Sequence, residues 1–504
     1  MRKWLIVCCV LAVLAVIVIA ALRPYLSSYV RQRAVETLGE RYDSQVTFKT
    51  FQVSVLPDIK IVGEGMAVRR EGRTDVPPLI HVQKFSAETG LLELLRRPHH
   101  VRSVRLQGLK IAIPPPAERI TSQHHPPHKR FPVVVDEIDA DNSELDMLPK
   151  GPGKPSRIFV IHHLVIHGAG QGRAMPFTAT LTNPVPKGEI QTRGAFGPWQ
   201  TDEPGLTPLN AAYTFTHANL ATIRGIAGML SSKGKFSGVL SRIDVVGTTS
   251  TPDFRLSVSG NPVPLETNFH AIMDGTTGNT LLNPVRAQIY RSSFEVRGGV
   301  FKVTGSAHRE VILDMRASKN RLEDLLPLAL KRGESPMKGQ ISYAARLKIP
   351  AGKGDFVDRM KLSGSFAIGK ASFTKLNVQG KVDRLSRKGL GLRQAGVQSI
   401  VASRFHGRFD LGGGVMRFSK LTFSVPGASV RLAGAYNLHS EQLDFHGSLR
   451  LRAELSQLTT GWKSVLLKPL DPLFHKKGAG TVLPIKVTGT ESDPSFGIDV
   501  GRVF

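Results

Sequence analysis

The sequence predicts a mainly β protein, built as an elongated β repeat rather than as a single catalytic globule, and three observations predict it. Apolar and polar residues alternate with a period of two from Val46, and strands of this grammar dominate from Ile158 to the end. Forty-nine glycines fit many turns and bulges. A twelve-residue stretch also recurs 242 positions further on, as IDVVGTTSTPDF from Ile243 to Phe254 and as IKVTGTESDPSF from Ile485 to Phe496, with seven identities. Each copy breaks at a glycine, passes a Thr/Ser/Asp turn and restarts after a proline. Gly247, Thr248, Pro252 and Phe254 thereby match Gly489, Thr490, Pro494 and Phe496 in a strand, turn, strand unit. A helical pattern leads into each copy, through Leu220, Ile223, Ile226 and Leu230 in one and Leu455, Leu458, Trp462 and Val465 in the other. Self-similarity at this scale means that one architecture is used at least twice.

Residues 1–27 read as an N-terminal transmembrane anchor with a short cytoplasmic end. Trp4 to Leu22 is a run of nineteen residues without a polar side chain, behind Arg2 and Lys3. As a helix it is about 29 Å long, close to the hydrocarbon thickness of a bilayer. Val18-Ile19-Ala20 offers a signal-peptide cleavage site as the alternative, but the run is longer than a usual signal core. The basic flank places the bulk of the chain on the exported side, although Arg23, Arg31 and Arg33 weaken that orientation signal. Both cysteines, Cys8 and Cys9, fall inside the run, so the exported part can form neither a disulfide framework nor a thiolate zinc site.

Residues 28–113 follow as a β/α region. It holds a short polar helix from Ser28 to Glu40, strands around Val46 to Val55, an apolar helix from Ala87 to Leu95 and a strand from Val104 to Ile113. Residues 114–157, rich in proline and glycine, read as a linker with one strand at Phe131 to Val135, and form the expected internal boundary. Residues 158–504 are the repeated sheet region. Its clearest hairpin runs from Ser429 to Arg452, turning at His439-Ser440-Glu441-Gln442. Val430, Leu432, Tyr436 and Leu438 share a face on the first arm, and Leu443, Phe445, Leu449 and Leu451 share one on the second. Such alternation buries one side of a sheet in something apolar and leaves the other in water. A helical segment from Arg321 to Leu330, broken by Pro327, caps or flanks the sheet.

The net charge of +27 predicts an acidic partner, nucleic acid or anionic lipid, or else a solvated face that keeps sheet edges from pairing. Export of the basic mass and the absence of a basic-aromatic RNA-binding signature exclude nucleic acid. No nucleophile elbow, phosphate-cradling loop or zinc-protease helix occurs, so neither a catalytic residue nor a cofactor is expected. The clusters His124, His125, His128 and His162, His163, His167 lack the surroundings of a metal site, and the acids Asp136, Glu137, Asp139 and Asp141 read as a solvated loop. No metal is expected.

The anchor, the strand block VTFKTFQVSVLPDIKI, the strand ending LQGLKIAI, the central KGKFSGVL and GTTGNTLLNPV elements and the C-terminal GTVLPIKVTGTESDPSFGID together resemble the AsmA-like family of bacterial envelope proteins. The resemblance covers nearly the whole chain, which is shorter than the family's envelope-bridging members. It implies a long, curved, taco-like antiparallel sheet with an apolar groove and short flanking helices, held in the periplasm by a single inner-membrane pass. It also implies a part in phospholipid transport between inner and outer membranes and in outer-membrane homeostasis. The partners it implies are phospholipids or other anionic envelope lipids and the inner membrane. The alternative is a non-conducting assembly factor with an outer-membrane protein partner. An ordinary sandwich core produces the same alternation as a groove, and periodicity alone does not choose between them.

Overall fold

A computed structural model describes residues 28, 30–32, 35 and 44–499, except 56–57, 71–77, 91, 94–98, 114–132, 148–156, 171, 199, 201–202, 258–259, 304–305, 307, 329, 331–334, 336, 375–381, 384, 388–389, 391–402, 453–481 and 491–492. The protein is mainly β, with few and short helices. The apolar run from Trp4 to Leu22, both cysteines, the first histidine cluster and the helical pattern from Leu455 to Val465 lie outside the described residues. Among the described residues no helix is long and apolar enough to cross a membrane. The chain divides into two compact units, residues 1–218 with 233–240, and residues 219–232 with 241–504.

The first unit contains β1 (Ser44–Thr47), β2 (Thr50–Ser54), β3 (Ile59–Arg70), β4 (Ile80–Thr89), β5 (His99–Ile113), β6 (Val133–Met147), β7 (Arg157–Ala169), β8 (Met175–Pro184), β9 (Lys187–Phe196) and β10 (Pro208–Asn219). β1 and β2 both pair with β3, and from there to β9 each strand pairs with the next. One ladder breaks the antiparallel rule: β5 and β6 are parallel, with His99 opposite Val133 and Ile113 opposite Met147. A parallel pair needs a crossover rather than a tight turn, and the residues between β5 and β6, 114–132, lie outside the described ones. Within the stretch 114–157, β6 takes fifteen residues into the sheet. The expected helix from Ala87 is absent up to Thr89, which ends β4, and Leu92 and Glu93 are helical. An aromatic trio, Phe48, Phe51 and Phe85, packs with Val46 and Val68 in the unit's core, its ring centroids 5.2 to 6.3 Å apart.

The second unit begins with β11 (Ile226–Ala227). β12 (Met229–Val239) has residues in both units. A meander follows: β13 (Arg242–Leu256), β14 (Val263–Met273), β15 (Thr280–Ile289), β16 (Ser292–Lys302), β17 (Arg309–Arg321), β18 (Met337–Ile349) and β19 (Lys361–Phe373). It continues through β20 (Ser403–Gly412), β21 (Val415–Val425), β22 (Ala428–Asn437), β23 (Gln442–Leu451), β24 (Val482–Thr490) and β25 (Pro494–Ile498). Every strand from β13 to β25 pairs antiparallel with the next. One-turn helices, among them α1 (Leu322–Leu325) and α2 (Phe356–Arg359), interrupt it. The expected helix at Leu220 to Leu230 is only a 3-10 turn at Leu220–Thr222 before β11 and β12, because Gly225 and Gly228 take positive φ values that end helical winding.

The two copies of the repeated stretch diverge in three dimensions. In the second, β24 ends at Thr490, Gly489 has φ 96°, Thr490 and Asp493 hydrogen-bond across the turn, and β25 starts at Pro494. In the first, the backbone does not turn. Gly247 lies inside β13 opposite Phe269 and outside the positive-φ region, and Thr248 continues the ladder opposite Asn268. The register merely shifts between Thr251 and Phe254, where Pro252 has no N–H to give to a ladder. The same sequence pattern is thus a bulge within a long strand in one place and a hairpin turn in the other.

Candidate functional site

Directly opposed residues of paired strands point to the same side of a sheet, so the registers allow one face of the second unit to be followed strand by strand. One row runs Val245, Ala271, Leu282, Gly298, Leu313, Leu347, Leu362, Leu411, Met416, Tyr436, Leu443 and Gly489. The neighbouring row holds Ala345, Gly364, Phe409, Phe418, Gly434, Phe445, Val487 and Phe496. A third holds Tyr343, Phe366, Gly407, Leu421, Leu432, Gly447, Ile485 and Ile498. No charged side chain enters these rows. At about 4.8 Å between strands, the first row from β13 to β24 is about 53 Å long.

Phenylalanines and glycines interdigitate along this face. Phe418 and Phe445 both oppose Gly434, and their rings meet over it with centroids 5.7 Å apart. The first unit repeats the device, with Phe51 and Phe85 both opposite Gly63 and their rings 6.3 Å apart. A strand glycine leaves a gap in the pleat that an aromatic ring from the next strand can cover.

Short helical segments cap the face at its margin. Leu322 of α1, with Leu325 and Leu326, packs on Ile341, Ile368, Phe366 and Phe405. Val382 and Leu385 pack on Val425, Ala428, Leu449 and Leu451. α1 is pinned by a buried polar knot. The Asp324 carboxylate accepts from the Ser292 hydroxyl at 2.9 Å and from the Arg291 N–H at 3.2 Å, so its burial is compensated. Tyr343 reports the polarity of the face, since burial pushes its phenol up to about 12.

Of the residues singled out from the sequence, Val430, Leu432 and Tyr436 lie on β22 and Leu443, Phe445, Leu449 and Leu451 on β23. The register brings Val430 opposite Leu449 and Tyr436 opposite Leu443. Leu438 differs: it lies in the turn after β22, its N–H donating to the Gly414 carbonyl, because the strand ends at Asn437. The sequence reading did not name Phe366, Phe405, Phe409, Phe418 and Leu421 as lining residues. The spacing Phe405-x-Gly407-x-Phe409 carried a signal for two of them. For Phe418 and Leu421 it was hidden, because their odd spacing puts them on opposite faces of a regular strand, and a register shift in β21 restores both to one face.

The opposite, polar side of the first unit holds a smaller cluster. Asp139 and Asp141 are on β6 rather than in a loop, and His163 of β7 approaches them, its Nδ1 2.8 Å from Asp141 Oδ1 and 3.4 Å from Asp139 Oδ1. These three, with ligand atoms within 4.8 Å of one another, are the group among the described residues able to hold a metal ion. They already form an ion pair, and the hydrogen bond that His163 donates to Asp141 raises the His163 pKa above its ordinary value. His162 points the other way, to Thr182. No protein-family model, curated protein or solved structure matches this chain.

Proposed function

We propose that this chain is a membrane-anchored periplasmic protein that carries phospholipid acyl chains along the apolar face of its second unit, moving lipid between the inner and outer membranes of a bacterial envelope. The observation that supports this most is the first row: twelve consecutive strands, β13 to β24, keep it free of charge through repeated register shifts. Each methylene leaving water gains about 0.8 kcal/mol, so a chain of a dozen or more carbons is held firmly without a specific contact and can slide between equivalent positions. The apolar run at Trp4 to Leu22 and the resemblance to the AsmA-like family supply the anchor and the compartment in this reading.

Photocrosslinking along β23 tests it. Leu443 and Leu449 are half-buried on the apolar side, whereas Asp444 and Ser448 face the other way. Crosslinkers at 443 and 449 are expected to capture phospholipid, identified by mass spectrometry, and those at 444 and 448 are not. Equal capture from both sides, or none from either in a folded chain, overturns the proposal and leaves a protein-binding scaffold.

A further inference from the structure

The polar side of the second unit changes character along its length. On β17 and β18 its charges neutralise one another: Arg346 reaches Asp314 at 2.7 Å and Lys348 reaches Glu310 at 2.9 Å. On part of β20 to β23 they do not, although at the margin Asp410 stands opposite Arg417 and His446 pairs with Asp444 and Asp499. The registers place Arg404, Ser424, Ser429 and Arg450 in one row, His406, Thr422, Arg431 and Ser448 in the next, and Arg408 opposite Lys420 in a third. Arg404, Arg408, Lys420, Arg431 and Arg450 are all exposed, and none forms an ion pair with a described residue. No carboxylate occupies these rows.

Two features are unfavourable for folding alone. Arg408 and Lys420 are like charges directly across a ladder, an arrangement that destabilises a sheet. Thr422 is 7% exposed, and its hydroxyl is shut off from solvent without a hydrogen-bond partner, beneath the row that His406 and Arg431 flank. A buried hydroxyl in that state is an unmet hydrogen bond and costs stability. The like-charge pair is relieved by an anion bound over the ladder.

We infer that this face of β20 to β23 is a binding site for phosphate groups, free or on a lipid headgroup. A tetrahedral phosphate offers several strong acceptor oxygens, which suits guanidinium forks set around hydroxyl donors. The patch measures about 14 Å in each direction, from strand spacing and two-residue steps, so more than one phosphate fits. It lies on the side of the sheet away from the apolar rows and does not depend on lipid being carried there.

Arginine footprinting on the full chain tests the site. Phenylglyoxal labelling of Arg404, Arg431 and Arg450 is followed by mass spectrometry in phosphate and in chloride at matched ionic strength, with exposed Arg193 and Arg286 elsewhere as references. Phosphate at twice its Kd lowers the free-site fraction, and with it labelling, about threefold at the three arginines and not at the references. Protection by vesicles containing phosphatidylglycerol but not by inorganic phosphate assigns the site to lipid headgroups. Protection by inorganic phosphate itself assigns it to the small anion. Absence of protection by either, or equal protection by polyglutamate, overturns the inference. Arg404→Gln/Arg431→Gln/Arg450→Gln is expected to abolish vesicle binding that depends on phosphatidylglycerol, and wild-type binding by a folded triple variant also overturns it.

Discussion

Replacing Gly434 with valine sets two effects against each other. Valine favours a strand by up to about 1 kcal/mol relative to glycine. Against this, a Cβ at position 434 would meet the Phe445 Cα at 2.6 Å and would also crowd the Asp444 carbonyl, where carbon atoms ordinarily rest about 3.5–4.0 Å apart. The strands must shift, and overpacking of this kind costs about 1–3 kcal/mol. The side chain also enters the space where Phe418 and Phe445 meet, putting about 0.5–1.5 kcal/mol of ring contact at risk. Sterics win, and Gly434→Val should destabilise β22 and β23 by about 1–3 kcal/mol. Hydrogen exchange with mass spectrometry reads this locally: β22 and β23 amides should exchange about 5- to 150-fold faster, at tenfold per 1.4 kcal/mol, with β15 and β16 unchanged. Exchange that is unchanged or slower in the variant refutes the ring-over-glycine account of this face.

Two further predictions come from the repeat and from the His163 cluster. Gly489→Val should lower stability by about 1–3 kcal/mol, because φ 96° is strained for valine and its Cβ would meet the Asp493 carbonyl oxygen at 2.5 Å, whereas Gly247→Val, inside an extended strand, should change it far less; equal losses in thermal melting contradict the divergence of the two copies. The NMR titration midpoint of His163 should lie above about 6.5 and fall in Asp141→Asn, and since a raised histidine pKa stabilises the fold below the unfolded value, that contribution is complete below about pH 6.5 and is lost as pH rises through the folded pKa. A midpoint unmoved by Asp141→Asn removes the hydrogen bond as its cause.

The mainly β character and the hairpin from Ala428 to Leu451 were legible in the sequence because alternation is a local property: two-residue periodicity fixes which side each residue takes as long as a strand stays regular. Charge and glycine content were equally local. What the chain alone did not determine is where regularity stops. Leu438 obeys the alternation of β22 yet sits in the turn, and Leu421 violates that of β21 yet joins the apolar row, because a bulge is set by the partner strand's register and not by the bulged residues. The same reason separates the two copies of the repeat. Seven shared residues specify a kink, and only the neighbouring strand decides whether it becomes a bulge opposite Leu265 and Val263 in β14 or a turn into β25. The parallel β5–β6 ladder, the helix α1 pinned by Asp324 and the unneutralised cations of β20 to β23 likewise come from residues distant in sequence that register makes neighbours. Cross-strand adjacency, on which packing and electrostatics both act, is a property of the folded sheet.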